Sequence, residues 1–522
     1  MKIHILDCTL RDGGYCNNWE FGNKNTKKVV GGLTDAGIDI VELGFLTNRV
    51  EYNSETTNFT SVENLAEAIP LKRQNSQYVA MMNYGDYSID DIPDYDGKSV
   101  DGFRVAFHKK DRYKALEICK QIKEKGYIVH VNAMVTVCYT DEEFLELIDC
   151  VNKIDPNAFY IVDTFGMMKE KELMRLFYVV EKRLNENIWI GFHSHNNIQL
   201  AFSNSLKLIS VPSNRNLVID SSVYGMGRGA GNLNTELFVE YLNDNLGGKY
   251  DLNPLVVIID EVLNYFYQKE PWGYSMPNYL SAINNAHPNY AGYFSAKNTL
   301  TLEAMSDIFK SMEGDNKFEF DKKYAEEVYL AYMNSGSAND ANIEKIRELI
   351  KGKTVILIGP GKSSESEKNK IIAKYSDGHA LAISVNFDYK YLDTDYIFVS
   401  NMRRFRELEA DKQSKCIATS NIKASNAFAQ VEYRDLLLDN PVIEDNSGMM
   451  AIKWLIQIGA KKVVLCGFDG YSHYYGDNYA DSKMNIVTKN ELIDKINSSI
   501  KLALVDFQNS IDLEILGDSK YK

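Results

Sequence analysis

At 522 residues the chain is too long for one ordinary core, so two or three domains are expected. Its 45% hydrophobic and 25% charged residues are those of a globular protein, and a formal net charge of −14 argues against a nucleic-acid or acidic-membrane binder. Seven widely spaced cysteines without a CxxC pair, no apolar signal region and no bilayer-length apolar run lead to the expectation of a cytoplasmic protein with reduced thiols.

Short apolar runs recur at 3–6, 38–43, 78–82, 102–106, 128–135, 158–162, 188–192 and 217–219. Amphipathic segments of helical length, such as 112–125 and 141–154, separate most of them. Eight strands alternating with helices over about 250 residues predict a TIM (β/α)8 barrel, although a doubly wound open sheet has a similar rhythm. Glu42, Arg104, Asn132, Asp163, Thr164 and His193 fall at or just past the C-terminal ends of these runs, the face that carries TIM-barrel active sites. Glu42 and Arg104 are therefore candidate substrate-binding residues.

The first run leads into Leu6-Asp7-Cys8-Thr9-Leu10-Arg11-Asp12-Gly13-Gly14-Tyr15. Arg11 can grip a carboxylate with two parallel hydrogen bonds, and Asp12 offers a hard oxygen to a divalent cation. Downstream, His193 and His195 stand at i and i+2 on an extended segment, so both imidazoles can reach one metal. The two stretches predict an Asp-plus-two-His site with an arginine beside it. Mn²⁺ or Mg²⁺ suits such a mixed oxygen and nitrogen set, as would Fe(II) or Zn²⁺.

LDCTLRDGG, VDTFG, GFHSHNN and GMGRGAGNLNTE occur in this order within about residues 1–250. Together they resemble the metal-dependent pyruvate-aldolase and acyl-CoA lyase superfamily built on a TIM barrel. The resemblance is to 4-hydroxy-2-oxoacid aldolases, in a subgroup found among bacterial polysaccharide-biosynthesis proteins. It implies Asp12, His193 and His195 as metal ligands, with Asn232 as a further one. It also implies Arg11 as the residue that binds the keto-acid and stabilises its enolate, and Thr164 as a pyruvate-binding residue. The related aldolases carry a general acid/base histidine four residues after the arginine, where this chain has Tyr15. A tyrosine of ordinary pKa, about 10, is a poor base near neutrality. Tyr15, a metal-bound water, His108 or His287 are the alternatives for moving the proton.

Residues 251–345 change to a helical character, with helices expected over 254–270, 301–312 and 322–333. This is expected to be an extension packing over the barrel or a neighbouring identical subunit, with His287 and Tyr290 capping the site. A small, polar stretch over 334–340 reads as a linker. From 346 to 522 a Rossmann-like α/β domain is expected, with strands at 355–358, 380–386, 396–400 and 462–466. Gly359-Pro360-Gly361-Lys362-Ser363-Ser364 fails both the GxxxxGK[ST] and GxGxxG patterns. The SG…A…GAKKVVLCGFD pattern is similar to the nucleotide-binding sheets of certain bacterial sialyltransferases and hydroxymethylpterin pyrophosphokinase-like proteins. It implies nucleotide or nucleotide-sugar binding at Gly359, Gly361, Ser447, Gly448 and Asp469.

The resulting expectation is an aldolase joining or cleaving pyruvate, or a related 2-oxo-acid, and an aldehyde, which a nucleotide-linked sugar could supply. A Claisen-type acyl-CoA enzyme and a barrel without turnover are the competing readings.

Overall fold

The computed structural model describes residues 2–70, 75–297, 300–334, 340–423, 426–484 and 490–522. Two compact units result: residues 1–293 with 312–320, and 294–311 with 321–522. The linker expected over 334–340 lies, apart from its two ends, outside the described residues.

In the first unit nine parallel strands are formed: β1 (Ile3–Asp7), β2 (Ile40–Leu46), β3 (Asn58–Phe59), β4 (Gln77–Asn83), β5 (Gly102–Phe107), β6 (Ile128–Ala133), β7 (Ala158–Asp163), β8 (Trp189–Ser194) and β9 (Leu217–Ser221). The order β1-β9-β8-β7-β6-β5-β4-β2 is closed by pairing of β2 with β1, giving an eight-stranded barrel. The two-residue β3 adds to the outer end of β2. All eight barrel strands coincide with apolar runs read from the sequence, and all eight pairings are parallel.

Alternation along each strand divides the barrel into two apolar layers. Ile5, Val41, Phe103, Val105, Val129, Val131, Phe159, Ile161, Phe192 and Ile219 pack outward with helical residues such as Val29, Leu33, Leu116 and Phe177. Leu6, Ile40, Val79, Ala158, Tyr160, Val162 and Val218 form the separate inner layer. The same parity sends Glu42, Arg104, Asn132, His193 and Asp220 to the inside of the barrel. Gly191 faces Tyr160, where a Cβ would come within 2.5 Å of the ring. The glycine makes room for the largest ring of the inner layer.

A helix running from Asn253 to Lys269 contains one π turn, Ile259–Leu263. It packs on the helix Asn23–Asp35 at Gly32, whose absent side chain leaves space for Ile258. Residues 251–293 and 312–320 thus pack with the barrel, and the rest of the segment expected as an extension packs with the second unit.

The second unit contains β10 (Thr354–Ile358), β11 (Ala380–Val385), β12 (Tyr396–Val399), β13 (Cys416–Thr419), β14 (Ala429–Val431), β15 (Lys462–Cys466) and β16 (Asp512–Leu516). They form a wholly parallel sheet in the order β14-β13-β12-β11-β10-β15-β16. The chain crosses from β14 back to the far side of β10, so the order reverses between β10 and β15. Strands β13, β14 and β16 escaped the sequence reading: β13 and β14 have only four and three residues, and β16 is a half-exposed edge strand. No helix among the described residues is long and apolar enough to cross a membrane.

Adding a methyl group at Gly191 tests the inner layer. Gly191→Ala is expected to lower stability by about 1–3 kcal/mol through overpacking against Tyr160. Urea unfolding followed by tryptophan fluorescence reads this, and an unchanged midpoint would contradict the packing described.

Candidate active site

Asp12 lies in the short helix Thr9–Asp12 that follows β1, while His193 is the penultimate residue of β8 and His195 follows the strand. These three buried side chains each offer a ligand atom, all within 4.8 Å of one another. His195 Nδ1 lies 3.1 Å from the Asp163 carbonyl, which can only accept, so Nδ1 carries the hydrogen. His193 Nδ1 lies 2.9 Å from the Asp220 carboxylate and donates likewise. Both Nε2 lone pairs are therefore left for a metal, the arrangement that second-shell acceptors impose on ligating histidines. His195 Nε2 is buried without a hydrogen-bond partner, and Asn232 Oδ1 is in the same position. The Asn232 amide nitrogen donates to Asp12 Oδ2 at 2.7 Å. A divalent cation suits this donor set.

The charges around it agree. Arg11 Nη1 donates to Asp12 at 2.5 Å and its Nε to Glu42 at 2.9 Å. The other Glu42 oxygen lies 3.0 Å from Arg104, whose second amino group donates to Asp220 and, at 3.2 Å, to Asn132. Arg104 also packs over Tyr160, 4.6 Å from the ring centroid. A continuous chain, Asp12–Arg11–Glu42–Arg104–Asp220–His193, thus runs through the barrel interior. Its three carboxylates and two guanidinium groups leave an excess of one negative charge for a cation to offset.

These pairings shift the titrations. Burial alone would raise the Asp12 carboxyl, but the Arg11 guanidinium holds it well below the usual carboxylate range. Asp220 is likewise lowered, against burial, by Arg104 and His193. Burial lowers His193 and keeps it neutral, the form that binds metal. Asp163 is pushed up to about 6 by burial, although Met167 and Met168 donate their peptide N–H groups to it.

Several expected substrate residues meet here in different roles. Arg104 is fully buried, and its guanidinium holds Glu42 and Asp220. Glu42, also fully buried, joins the two arginines. Thr164 follows β7 and accepts the Val135 N–H at 2.8 Å, leaving its own hydroxyl hydrogen available. Val135 has φ 54° and ψ 50°, a strained conformation for a β-branched residue, at the edge of the site. Tyr15 lies beneath Arg228, whose guanidinium carbon is 3.8 Å from the ring centroid. His287 reaches the same arginine, with Nε2 3.3 Å from Nη1. A cavity of about 600 Å³ opens among His108, Met134, Val135, Met167, Phe318 and Glu319.

Asp220 and Arg228 were missed from the sequence. Asp220 was within reach, since it stands one residue beyond the run that ends at Ile219 and shares the inward parity of Val218. Arg228 lies inside a quoted motif, but nothing local reveals its surroundings.

The residues expected to bind a nucleotide lie in the second unit. Gly359, Gly361 and Asp469 come together at the C-terminal ends of β10 and β15. There the N–H groups of Gly359 and Gly361 donate to Cys466 and Gly467 carbonyls at 2.7 and 3.0 Å. Asp469 accepts from the Ser363 N–H at 2.7 Å and from its hydroxyl. The protein's own carboxylate thus occupies the helix start expected to receive phosphate. Ser447 bonds to Asn386 and Ser400 at 2.7 and 2.6 Å, and Gly448 lies against Phe468.

A closed parallel barrel with buried Asp and His side chains beside an arginine defines a TIM barrel with a candidate metal site. Residues 103–258 match the family model described as HMGL-like. The chain is 27% identical over 242 residues to 4-hydroxy-2-oxovalerate aldolase 2 of Comamonas testosteroni, covering 46% of this chain and 67% of that protein. Oxaloacetate decarboxylase of Mycobacterium tuberculosis is 25% identical over 239 residues, 46% of this chain and 69% of its own. The N-terminal domain of a candidate aldolase from Bacteroides vulgatus is 30% identical, with 56% of this chain and 96% of that one covered and a TM-score of 0.49. The barrel is HMGL-like and has 4-hydroxy-2-oxovalerate aldolase homologues.

Two measurements check the site. Asp220→Asn should weaken Mn²⁺ binding by about tenfold to a hundredfold, as loss of an outer-shell partner does, and His195→Ala should weaken it further. Metal content by mass spectrometry after dialysis reads this, and full occupancy in both variants would remove the site. Because Asp12 and Asp220 are held below their ordinary value of 3.8, their stabilisation is present above that pH and is lost as pH falls through the folded values. Acid unfolding of Asp220→Asn should therefore be less steep than that of the unaltered protein.

Proposed function

We propose that this chain is a divalent-metal-dependent aldolase that forms or cleaves a carbon–carbon bond between pyruvate, or a related 2-oxo-acid, and an aldehyde. The observation that carries the reading is the convergence of Asp12, His193 and His195, with both Nδ1 atoms engaged by acceptors outside the group, beside Arg11. Asp12, His193 and His195 would hold the cation, with Asn232 Oδ1 beside them; the cation would supply Lewis-acid polarisation of a keto oxygen.

Arg11 is held on two sides by Asp12 and Glu42, and Nη2 has no protein partner among the described residues. That amino group is fixed in place before substrate arrives, so it stabilises charge developing on the keto oxygen without reorganising. The Thr164 hydroxyl hydrogen is available to the 2-oxo-acid carboxylate, since its oxygen already accepts the Val135 N–H. Met134, Val135, Met167 and Phe318 line the cavity that would take the aldehyde. Proton transfer falls to Tyr15, His108 or His287. Burial, and then Arg228, push His287 down to about 3, so it is neutral at working pH.

The finer reading, a nucleotide-linked sugar aldehyde used in polysaccharide biosynthesis, draws its support from the glycine turns and the reversal of strand order between β10 and β15. Since Asp469 fills the helix start beside them, a nucleotide would meet the edge at Asn386, Ser400 and Ser447 instead. Titration of the full chain with CMP, CDP, UDP and GDP tests this, and absence of heat with all four would end it.

For the aldolase itself, pyruvate and a panel of aldehydes with Mn²⁺ should give aldol products without coenzyme A. Arg11→Lys keeps the charge but loses the two-sided hold. It should reduce kcat/KM by about 2 kcal/mol or more in transition-state stabilisation. Unchanged turnover would place Arg11 outside the chemistry, and thioester consumption would favour a Claisen reaction.

A further inference from the structure

The barrel interior neutralises Arg11 and Arg104 with two carboxylates each, but it leaves a third arginine without one. Arg228 stands at the mouth, its peptide N–H 3.3 Å from Asp12 Oδ2 and its guanidinium over Tyr15. Among the described residues no carboxylate side chain pairs with that guanidinium, and its Nε is buried without a hydrogen-bond partner. The nearby Glu319 is paired with Lys110 at 3.0 Å, and Lys109 with Glu143 at 2.9 Å.

The contact with His287 does not satisfy Arg228 either. Arg228 Nη1 points at His287 Nε2 at 3.3 Å, and the Asn289 N–H points at Nδ1 at 3.2 Å. A neutral imidazole has one nitrogen lone pair to offer, so one of the two donors lacks an acceptor. Protonating the ring would leave both without one. Whichever donor the ring serves, the half-buried guanidinium lacks a counter-ion and its Nε lacks an acceptor, a costly state unless a ligand supplies them.

We infer that Arg228 is an anion receptor, and that the aldehyde used by this enzyme carries a carboxylate or phosphate group that Arg228 grips. The aldehyde part rests on the aldolase reading; the anion receptor does not. Arg228 joins the metal-ligand side of the site, through Asp12, to His287 and the cavity side. An anion held there would place the reacting end of the same molecule toward Asp12, His193 and His195. The planar guanidinium can meet either oxyanion with two parallel hydrogen bonds.

The test uses the full chain with Mn²⁺, pyruvate and two matched pairs of aldehydes: succinic semialdehyde against butanal, and glyceraldehyde 3-phosphate against glyceraldehyde. The unaltered protein should prefer the anionic member of at least one pair, and the pair preferred tells carboxylate from phosphate. Arg228→Met should reduce that preference on the order of tenfold to a hundredfold, the value of a charge-assisted hydrogen bond or two. Arg228→Lys should restore part of it, more for phosphate than for carboxylate. Thermal unfolding of both variants controls for folding. A second arm titrates metal-free protein with succinate and with inorganic phosphate, where Arg228→Met should abolish the heat seen with the unaltered chain. If no aldehyde reacts but anion binding depends on Arg228, the aldolase reading falls and the receptor stands. If aldehydes react and the preference is absent, or survives Arg228→Met, the inference is overturned while the aldolase stands. If no aldehyde reacts and anion binding is absent or independent of Arg228, both fall.

Discussion

The structure depends on a chain of alternating charges buried along the barrel axis. Asp12, Arg11, Glu42, Arg104, Asp220 and His193 come from five separate strands or the turns after them, and each holds the next. Burying so many charges is costly, and it is tolerable only when each is paired with good geometry. The pairing also transmits orientation. Arg104 holds Asp220, Asp220 fixes the His193 tautomer, and His193 faces Asp12 across the space left for a cation. The one negative charge in excess turns that space into a site rather than a defect.

Around this chain, the barrel follows from alternation. Each strand sends one set of side chains to the helices and the other to the axis, so apolar residues at the middle of a strand and polar ones at its C-terminal end share a single inward face. Tyr160 is the hinge between the two regions. It fills the axis opposite Gly191 and carries the Arg104 guanidinium on its ring. The inner apolar layer is thereby continuous with the base of the charge chain.

In the second unit a similar principle has the opposite result. A glycine turn and a helix start are brought to the strand ends where ligands usually sit, yet Asp469 is drawn into the same place. The carboxylate takes the Ser363 donors, and the Cys466 and Gly467 carbonyls take the N–H groups of Gly359 and Gly361. Gly361 has no side chain because a Cβ there would lie 2.8 Å from the Asp469 carboxylate and 2.6 Å from the Gly467 carbonyl. The glycine therefore serves the contact between two loops of the protein.

Much of this was legible in the chain itself. The eight apolar runs are the eight barrel strands, and LDCTLRDGG and GFHSHNN placed Asp12, Arg11, His193 and His195 at strand ends. Such features are local: strand period, strand length and the residue types after a strand are all set within a few neighbours. Which charge meets which is not local. Glu42 and Arg104 were read as facing substrate because the sequence shows only that they point inward, and it took the closed barrel to set them against each other. Asp220 became the partner of His193, 27 residues away, and Arg228 was left without a carboxylate, through the register of strands and the placing of loops. By itself the sequence determined the inward face and the chemistry available on it. Tertiary structure alone decided the pairing, because electrostatic partnership depends on distance in space and on burial, and neither is encoded in any short stretch of the chain.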